Sequence, residues 1–431
     1  MSTFLQSQAE NFAQMPASVS PVVNTWRTQA MKQAQQVGFP HNKLERWKYA
    51  PLRALAGKSF ELSNESTNSI DVSQLPPAPR VVFVNGRFDA QHSDTRSLQG
   101  VTISQLSDVL QQADNRHLNV LGRQFSDIEA PFSALNTALA QDGILIEVAE
   151  HTHIETALHC VFISQGQTLS SHYSRHLISC APHCQFTLIE HHFSDGIDSS
   201  MSNHLWHVHV KPFAVLNHAR LQNLNTQAIH FSRTDAVIAG HAHYNRFDCE
   251  TGSHFARHEL SIDLHGEQAH ALSGGVTWAT QSSTLDTRLV ARHQAPNTQC
   301  QLLWRGLAND KAKCNFYGGI HIDNGADGSN ASLSNKNLLL SPQAQINTQP
   351  ALEIYADEVK AAHGATVGQL DQTALFYLQS RGVPKMEAQQ VLTQAFYAQA
   401  YTLFEDTPFL AQFKAYLPKL LSDTAMENPD D

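Results

Sequence analysis

The chain has 431 residues, 42% hydrophobic and 16% charged, with 29 Lys and Arg against 39 Asp and Glu for a net charge of -10. That length exceeds one ordinary core and predicts two or three structural units, and the composition excludes wholesale disorder. The acidic balance argues against nonspecific nucleic-acid binding, which needs a basic surface to neutralise phosphate. No basic segment followed by an apolar run opens the chain, and no stretch reaches the roughly 18 apolar residues of a membrane span. A cytoplasmic protein with no membrane contact is expected.

The first part, residues 1–140, reads as helical with a linker. Phe4, Leu5 and Phe12 suggest a short first helix. Ser20-Pro21 looks like a cap followed by proline at the first helical position, and Gly38 sits where a C-terminal glycine belongs. Between them Val22, Val23, Trp26, Ala30, Ala34 and Val37 recur at helical spacing. Residues 61–80, rich in Ser, Asn and Pro, read as an irregular connection, followed by a strand over Val81–Val84 that ends at the turn pair Asn85-Gly86.

From 141 to 350 helical periodicity gives way to short alternating segments, among them Ile144–Val148, Gln185–Ile189, Leu205–Val210 and Leu260–Leu264. Many short strands punctuated by Gly, Asn and Pro predict an all-β unit. Small or thiol residues flanked by polar ones (Cys184, Ala271, Cys300, Cys314, Ile346) recur, the later ones at roughly 15 or 30 residues, as stacked coils would place them. The reading is a β-helix or related solenoid, with a β-sandwich as the alternative. The last part, 351–431, returns to helix. Asp371 caps a segment ended by Gly382, and Pro384 opens a longer one carrying Ala388, Leu392, Phe396 and Leu403. A third segment holds Phe409, Leu410, Phe413, Leu417 and Leu420, and the acidic tail Met426–Asp431 reads as frayed.

Of 25 histidines, most lie in the β-region. His-x-His pairs at 151/153, 207/209 and 241/243 could each present two imidazoles to one metal from a strand face. The plainer expectation is that histidine populates the outer face of a polar β-surface. Cys180 and Cys184 flank Pro182. In an extended strand they stand about 13 Å apart, so only a bend could join them, and inward-packed thiols are expected here and at Cys300 and Cys314. No Cys-x-x-Cys pair supplies the thiolates of a permanently bound cluster. A P-loop and a Gly-x-Ser-x-Gly elbow are also missing. His363, before Gly364 at the junction of β-region and helices, reads equally well as structural or functional from spacing alone.

The run Leu352-Glu-Ile-Tyr-Ala-Asp-Glu-Val-Lys-Ala-Ala-His-Gly-Ala-Thr-Val-Gly368 closely resembles the signature of the SufB/SufD family, followed at the family's distance by Leu375-Phe-Tyr-Leu-Gln-Ser-Arg-Gly-Val383. Glu45-Arg-Trp-Lys-Tyr49 and the stretch Ala134–Ile144 agree with it. Gly364, together with Asn335–Ser341 and its Lys336, is similar to the SufD branch, since SufB chains typically carry Glu and a cysteine near those two places.

The resemblance implies a right-handed parallel β-helix flanked by N- and C-terminal α-helical domains, and a non-enzymatic scaffold role in iron–sulfur cluster assembly. It implies a heterodimer with SufB, docking of the ABC-type ATPase SufC on the C-terminal helices, and no permanently bound cofactor. A transient iron–sulfur cluster would be shared with SufB, whose cysteine meets His363 as an iron ligand. The family often has cysteine where Ala361 stands, so no thiol at that point can take part. A purely structural stabiliser of SufB and a His-rich metal-dependent β-helix enzyme are the competing expectations, and an exposed strand edge would favour a homodimer of the isolated chain.

Overall fold

The computed structural model describes residues 2–50, 52–63, 70–112, 117–123, 130–165, 168–196, 199–417 and 421. Part of the expected 61–80 connection and the acidic tail lie outside them. Between Ile144 and Gly368 the chain winds as a parallel β-solenoid whose strands fall alternately into two ten-stranded sheets. Strand Val215–Leu224, for example, pairs in parallel with Gln185–Asp195 on one side and His243–Gly252 on the other. The chain returns to the same sheet after 26 residues (Ile229 to Phe255) to 32 residues (Lys313 to Gln345). Strands adjacent in sequence therefore lie in opposite sheets, and this parallel return separates a solenoid from the sandwich alternative. The recurring small and thiol residues stack as the spacing suggested, Ala271 on Cys300 in one sheet and Cys314 on Ile346 in the other.

Successive coils turn a corner on a residue with positive φ at His151, His183, Phe213 and His241. Their rings stack in sequence at 5.0, 4.8 and 4.7 Å, with planes within 8° of parallel. Histidine tolerates this backbone region better than most side chains do. Such a ring pair contributes about 0.5–1.5 kcal/mol, so these exposed histidines belong to a structural ladder at the corner.

Helices Thr3–Gln14, Pro21–Val37 and Pro131–Leu139 pack on the first of the two sheets, the one that holds Thr168–Cys180, Ser199–Val210 and Ile229–Ile238. The first two match the segments predicted from periodicity, and Gly38 follows the second with φ 78°. Phe132 stacks at 3.6 Å on Phe231 of the solenoid, and Asn136 donates to the backbone carbonyls of Ser174 and Asn203. The motif at 45–49 locks this layer down: Trp47 is buried beneath the Arg257 guanidinium at 3.8 Å, and Arg257 donates to the Arg46 carbonyl. The N-terminal part also contributes more strand than its pattern suggested. Arg80–Val84 forms a hairpin with Arg87–Asp94 and pairs in parallel with Leu158–Gln165. Val101–Gln105 joins the other sheet. Half-buried Phe88, Val101 and Ile103 pack on the solenoid core, a tertiary contact that outweighs their weak local signal.

The opposite sheet is covered by the C-terminal helices. Phe404, Phe409 and Phe413 pack on Ile189, Ala219, Leu221, Phe247 and Val276. Phe413 lies flat on Phe247 at 4.3 Å, and Gly274 lets the chain at Ala400 approach, since a Cβ there would stand 2.8 Å from the Ala400 carbonyl. Asp371 caps Gln372–Ser380 by accepting from Thr373 and Ala374, and Lys385–Ala398 follows Pro384. Among the described residues no helix is long and apolar enough to cross a membrane.

The interior is half apolar and half polar. Ile178, Val208, Ile238, Ile262 and their neighbours form one side. The other side corrects the expectation that histidine lines the outer face. Ser174 and His204, Ser202 and His230, and Ser232 and His258 form hydroxyl–imidazole pairs between adjacent coils, at 2.6, 2.7 and 2.9 Å. Facing them, Glu190 accepts from His192 Nε2 (3.0 Å), His218 Nε2 (2.7 Å) and Arg246 Nη1 (3.2 Å). Arg246 also clasps Asp248, Arg220 binds Glu250, and Glu250 accepts from Thr287 across the interior. Pairing and shared hydrogen bonds make this buried charge tolerable.

Burial lowers His172, His192 and His218 to about 4 and His176 to about 3. It also drives His204 and His230 well below their ordinary value. Burial alone would raise Glu190, yet hydrogen bonds from His192 and His218 and the Arg246 charge hold it well below the carboxylate range. Unfolded imidazoles titrate near about 6.5. Below that pH the unfolded chain binds protons that the folded interior refuses, so the stabilisation is complete above about 6.5 and is lost as pH falls toward the folded values. Each such imidazole removes about 1.4 kcal/mol per pH unit in that window. The Glu190 contribution is present above the unfolded carboxylate value and disappears at still lower pH. Guanidinium unfolding midpoints should therefore be highest at pH 7–8 and drop steeply between roughly pH 6.5 and 4; a flat profile there would contradict the buried neutral interior. Gly252, with φ 73°, faces the Leu224 carbonyl so closely that an added Cβ would collide with it. Gly252→Ala should cost about 2 kcal/mol or more in the same unfolding assay.

Candidate functional site

The solenoid's two final strands, Gln345–Ile354 and Lys360–Gly368, end their sheets, and among the described residues no strand lies beyond them. An unpaired parallel edge leaves backbone donors and acceptors free, which makes it a template for another chain. The run resembling the family signature forms this last coil. Its apolar residues are correspondingly uncovered: Ile354 is 41%, Tyr355 63% and Val367 43% exposed.

His363 lies in the last strand, exposed, directly opposite Leu333 in register. Leu333 aligns with Leu302, Leu302 with Ser273, Ser273 with Arg246, and Arg246 with His218. Leu302 and Leu333 belong to the inward-packed core, so His363 tops an inward-facing column at the open mouth. Side chains two apart share a strand face, so Ala361 stands beside it, over Ala331 and Cys300. Below the mouth, Asn335 Oδ1 accepts from Thr348 (2.7 Å) and Asn337 (2.6 Å), which closes the preceding coil with polar groups. A neutral imidazole at an open edge can ligate iron if a second chain supplies the remaining ligands.

The other sequence candidates fall elsewhere. His151 and His241 serve the corner ladder. His207 is buried and His209 half-buried, and His243 pairs with His270 at 3.2 Å. Among the described residues, none of the three His-x-His pairs falls in a group of three or more converging ligand side chains. A turn over Ala181–His183 bends the chain, and Cys180 and Cys184 are both buried in the apolar core, as expected. Cys300 packs inward with the apolar core, as expected, and burial pushes its thiol up to about 12. Cys314 is buried in a smaller cluster with Ala256 and Leu285. Cys249 instead faces the C-terminal helices.

The interior histidines were missed as a group. Their signal was present as Ser and His alternating at coil spacing (Ser174, His204, Ser232, His258), but it becomes legible only once the coil length is known. Among the described residues, His192, His204 and His230 are three histidines whose ligand atoms lie within 4.8 Å of one another.

Comparison with known proteins agrees with this architecture. Residues 162–396 match the family model for the SUF system FeS cluster assembly SufBD core domain, and residues 2–160 match that of the SufBD protein N-terminal region. The chain is 29% identical to the iron–sulfur cluster assembly protein SufD of Escherichia coli, over 91% of this chain and 92% of that one. It is 26% identical to an iron–sulfur cluster assembly SufBD family protein of Synechocystis, over 83% and 82%. Against the iron–sulfur cluster assembly protein SufB of Bacillus subtilis it is 21% identical, over 78% and 74%. With the core-domain and N-terminal-region models both matched and the signature run forming the open last coil, this chain belongs to the SufBD family of SUF-system iron–sulfur cluster assembly proteins.

Proposed function

We propose that this chain is the SufD-type scaffold subunit of a cytoplasmic SUF complex, pairing with a SufB-type chain and carrying no catalysis of its own. The observation that carries the reading is the uncapped last coil, with an exposed inward-column imidazole at its mouth. A second solenoid seated there would complete the backbone ladder, cover Ile354, Tyr355 and Val367, and bring a cysteine toward His363. Iron and sulfide would assemble between that imidazole and the partner's thiolate, and the transient cluster would then pass to an acceptor. A neutral imidazole suits ferrous iron, and the thiolate suits both iron and sulfide.

The C-terminal region, from 351 onward, is read as the docking element for the ATPase SufC. Phe376 (71%), Tyr377 (57%) and Met386 (63%) are exposed on the two helices after the solenoid. Aromatic and methionine side chains are enriched at protein interfaces. Movement of these helices on nucleotide binding would reach the last coil directly, because only Gln369, Leu370 and Asp371 separate them from strand Lys360–Gly368.

His363→Ala should leave the complex assembled while cluster yield in an anaerobic reconstitution falls at least about tenfold. Normal yield would leave the chain as a purely structural stabiliser of its partner. Replacing Phe376 and Met386 together with Ala should weaken capture of the ATPase by about 2 kcal/mol, roughly 30-fold, without disturbing the solenoid heterodimer. ATPase capture unchanged in a pull-down titration would place the docking surface elsewhere.

A further inference from the structure

The three converging histidines lie deep in the solenoid, away from the open edge. His204 and His230 come from the first sheet and His192 from the opposite one. All three are nearly fully buried. Their ring centroids are 5.0, 5.2 and 5.5 Å apart, and no two are coplanar. Three imidazoles bound to one tetrahedral ion through nitrogens at about 2.1 Å would have centroids roughly 5 Å apart.

Each ring is held from behind by its other nitrogen. His204 Nδ1 bonds Ser174 Oγ, His230 Nδ1 bonds Ser202 Oγ, and His192 Nε2 donates to the Glu190 carboxylate. That leaves His192 Nδ1 and His230 Nε2 buried without a hydrogen-bond partner. Leaving such an atom bare costs about 1–3 kcal/mol, and two of the three converging rings carry one. Outer-shell hydrogen bonds of this kind, a carboxylate or hydroxyl behind each imidazole, fix the tautomer and ring orientation of metal-bound histidine. A carboxylate also stands behind one of the three rings, Glu190 on His192, and brings negative charge to the site.

We propose that His192, His204 and His230 form an interior binding site for a divalent first-row transition metal that favours imidazole, such as Fe(II), Co(II) or Zn(II). The site is independent of the open edge: six inter-strand steps separate His192's strand from His363's, about 29 Å at ordinary strand spacing. Because the walls are closed, the ion is taken up as the coils assemble and is held with slow exchange.

The test uses the full-length chain without an affinity tag, produced in medium supplemented with Co(II) and washed with chelator. About one Co(II) per chain should remain by elemental analysis, with the visible absorption of a low-coordinate Co(II) ion and imidazole scattering in X-ray absorption. His204→Asn with His230→Asn should lose that cobalt at least tenfold, whereas His363→Ala and the exposed pair His243→Asn with His270→Asn should keep it. Ser202→Ala, which removes only the hydroxyl behind His230, should release the ion about tenfold more readily to a competing chelator. This keeps the site testable if the double variant does not fold. Wild-type chain that retains no cobalt would overturn the proposal. So would cobalt that departs with the surface pair, or bound cobalt lacking imidazole scattering.

Discussion

Every coil of a parallel solenoid depends on the next for half of its backbone hydrogen bonds. Inside the stack this dependence is met in register, strand on strand, from the coil after Ile144 to the strand ending at Gly368. At the last coil it is not met. Native proteins cover or blunt such edges, and among the described residues neither helical layer does so: the N-terminal helices lie over one sheet and the C-terminal helices over the other. The open mouth follows from that arrangement, and it is where the family signature falls. His363 owes its exposure to the missing coil above it, since the same column one coil earlier holds the buried Leu333.

In-register stacking also explains the histidine content. A solenoid sets equivalent positions above one another, so a side chain that suits one coil tends to suit its neighbours. At the corners this produces a stack of flat rings in the left-handed backbone region. Inside, it produces serine and histidine alternating up one sheet, each hydroxyl serving the imidazole of the next coil. Opposite them sits a cluster of acids and arginines that ion pairing and shared hydrogen bonds make tolerable. The interior is thus a polar seam beside an apolar one. Buried polar networks tend to specify a single packing more tightly than they stabilise it.

The two candidate metal environments differ in kind. His363 is a lone imidazole at a free edge and can hold iron only with ligands from another chain. The interior trio is complete within one chain and shielded from solvent. An open position suits transfer, whereas a closed one suits retention.

Much of this was readable from local pattern. The caps at Gly38 and Asp371, the helical faces of Pro21–Val37 and Lys385–Ala398, and the change to short alternating strands after 141 are consequences of backbone geometry and of 3.6- or 2-residue periodicity, so they show in sequence. The recurrence of Ala271, Cys300 and Cys314 pointed to stacking, and the run ending at Gly368 pointed to the family. Which way the histidines face could not be read, because a one-residue shift in strand phase exchanges inside for outside and these strands carry polar residues on both faces. The meeting of His192 with His204 and His230 depends on how two sheets close around an interior, a distance that no spacing along the chain encodes. Exposure of His363 was likewise decided by the fold, because only the absence of a further coil leaves that position open.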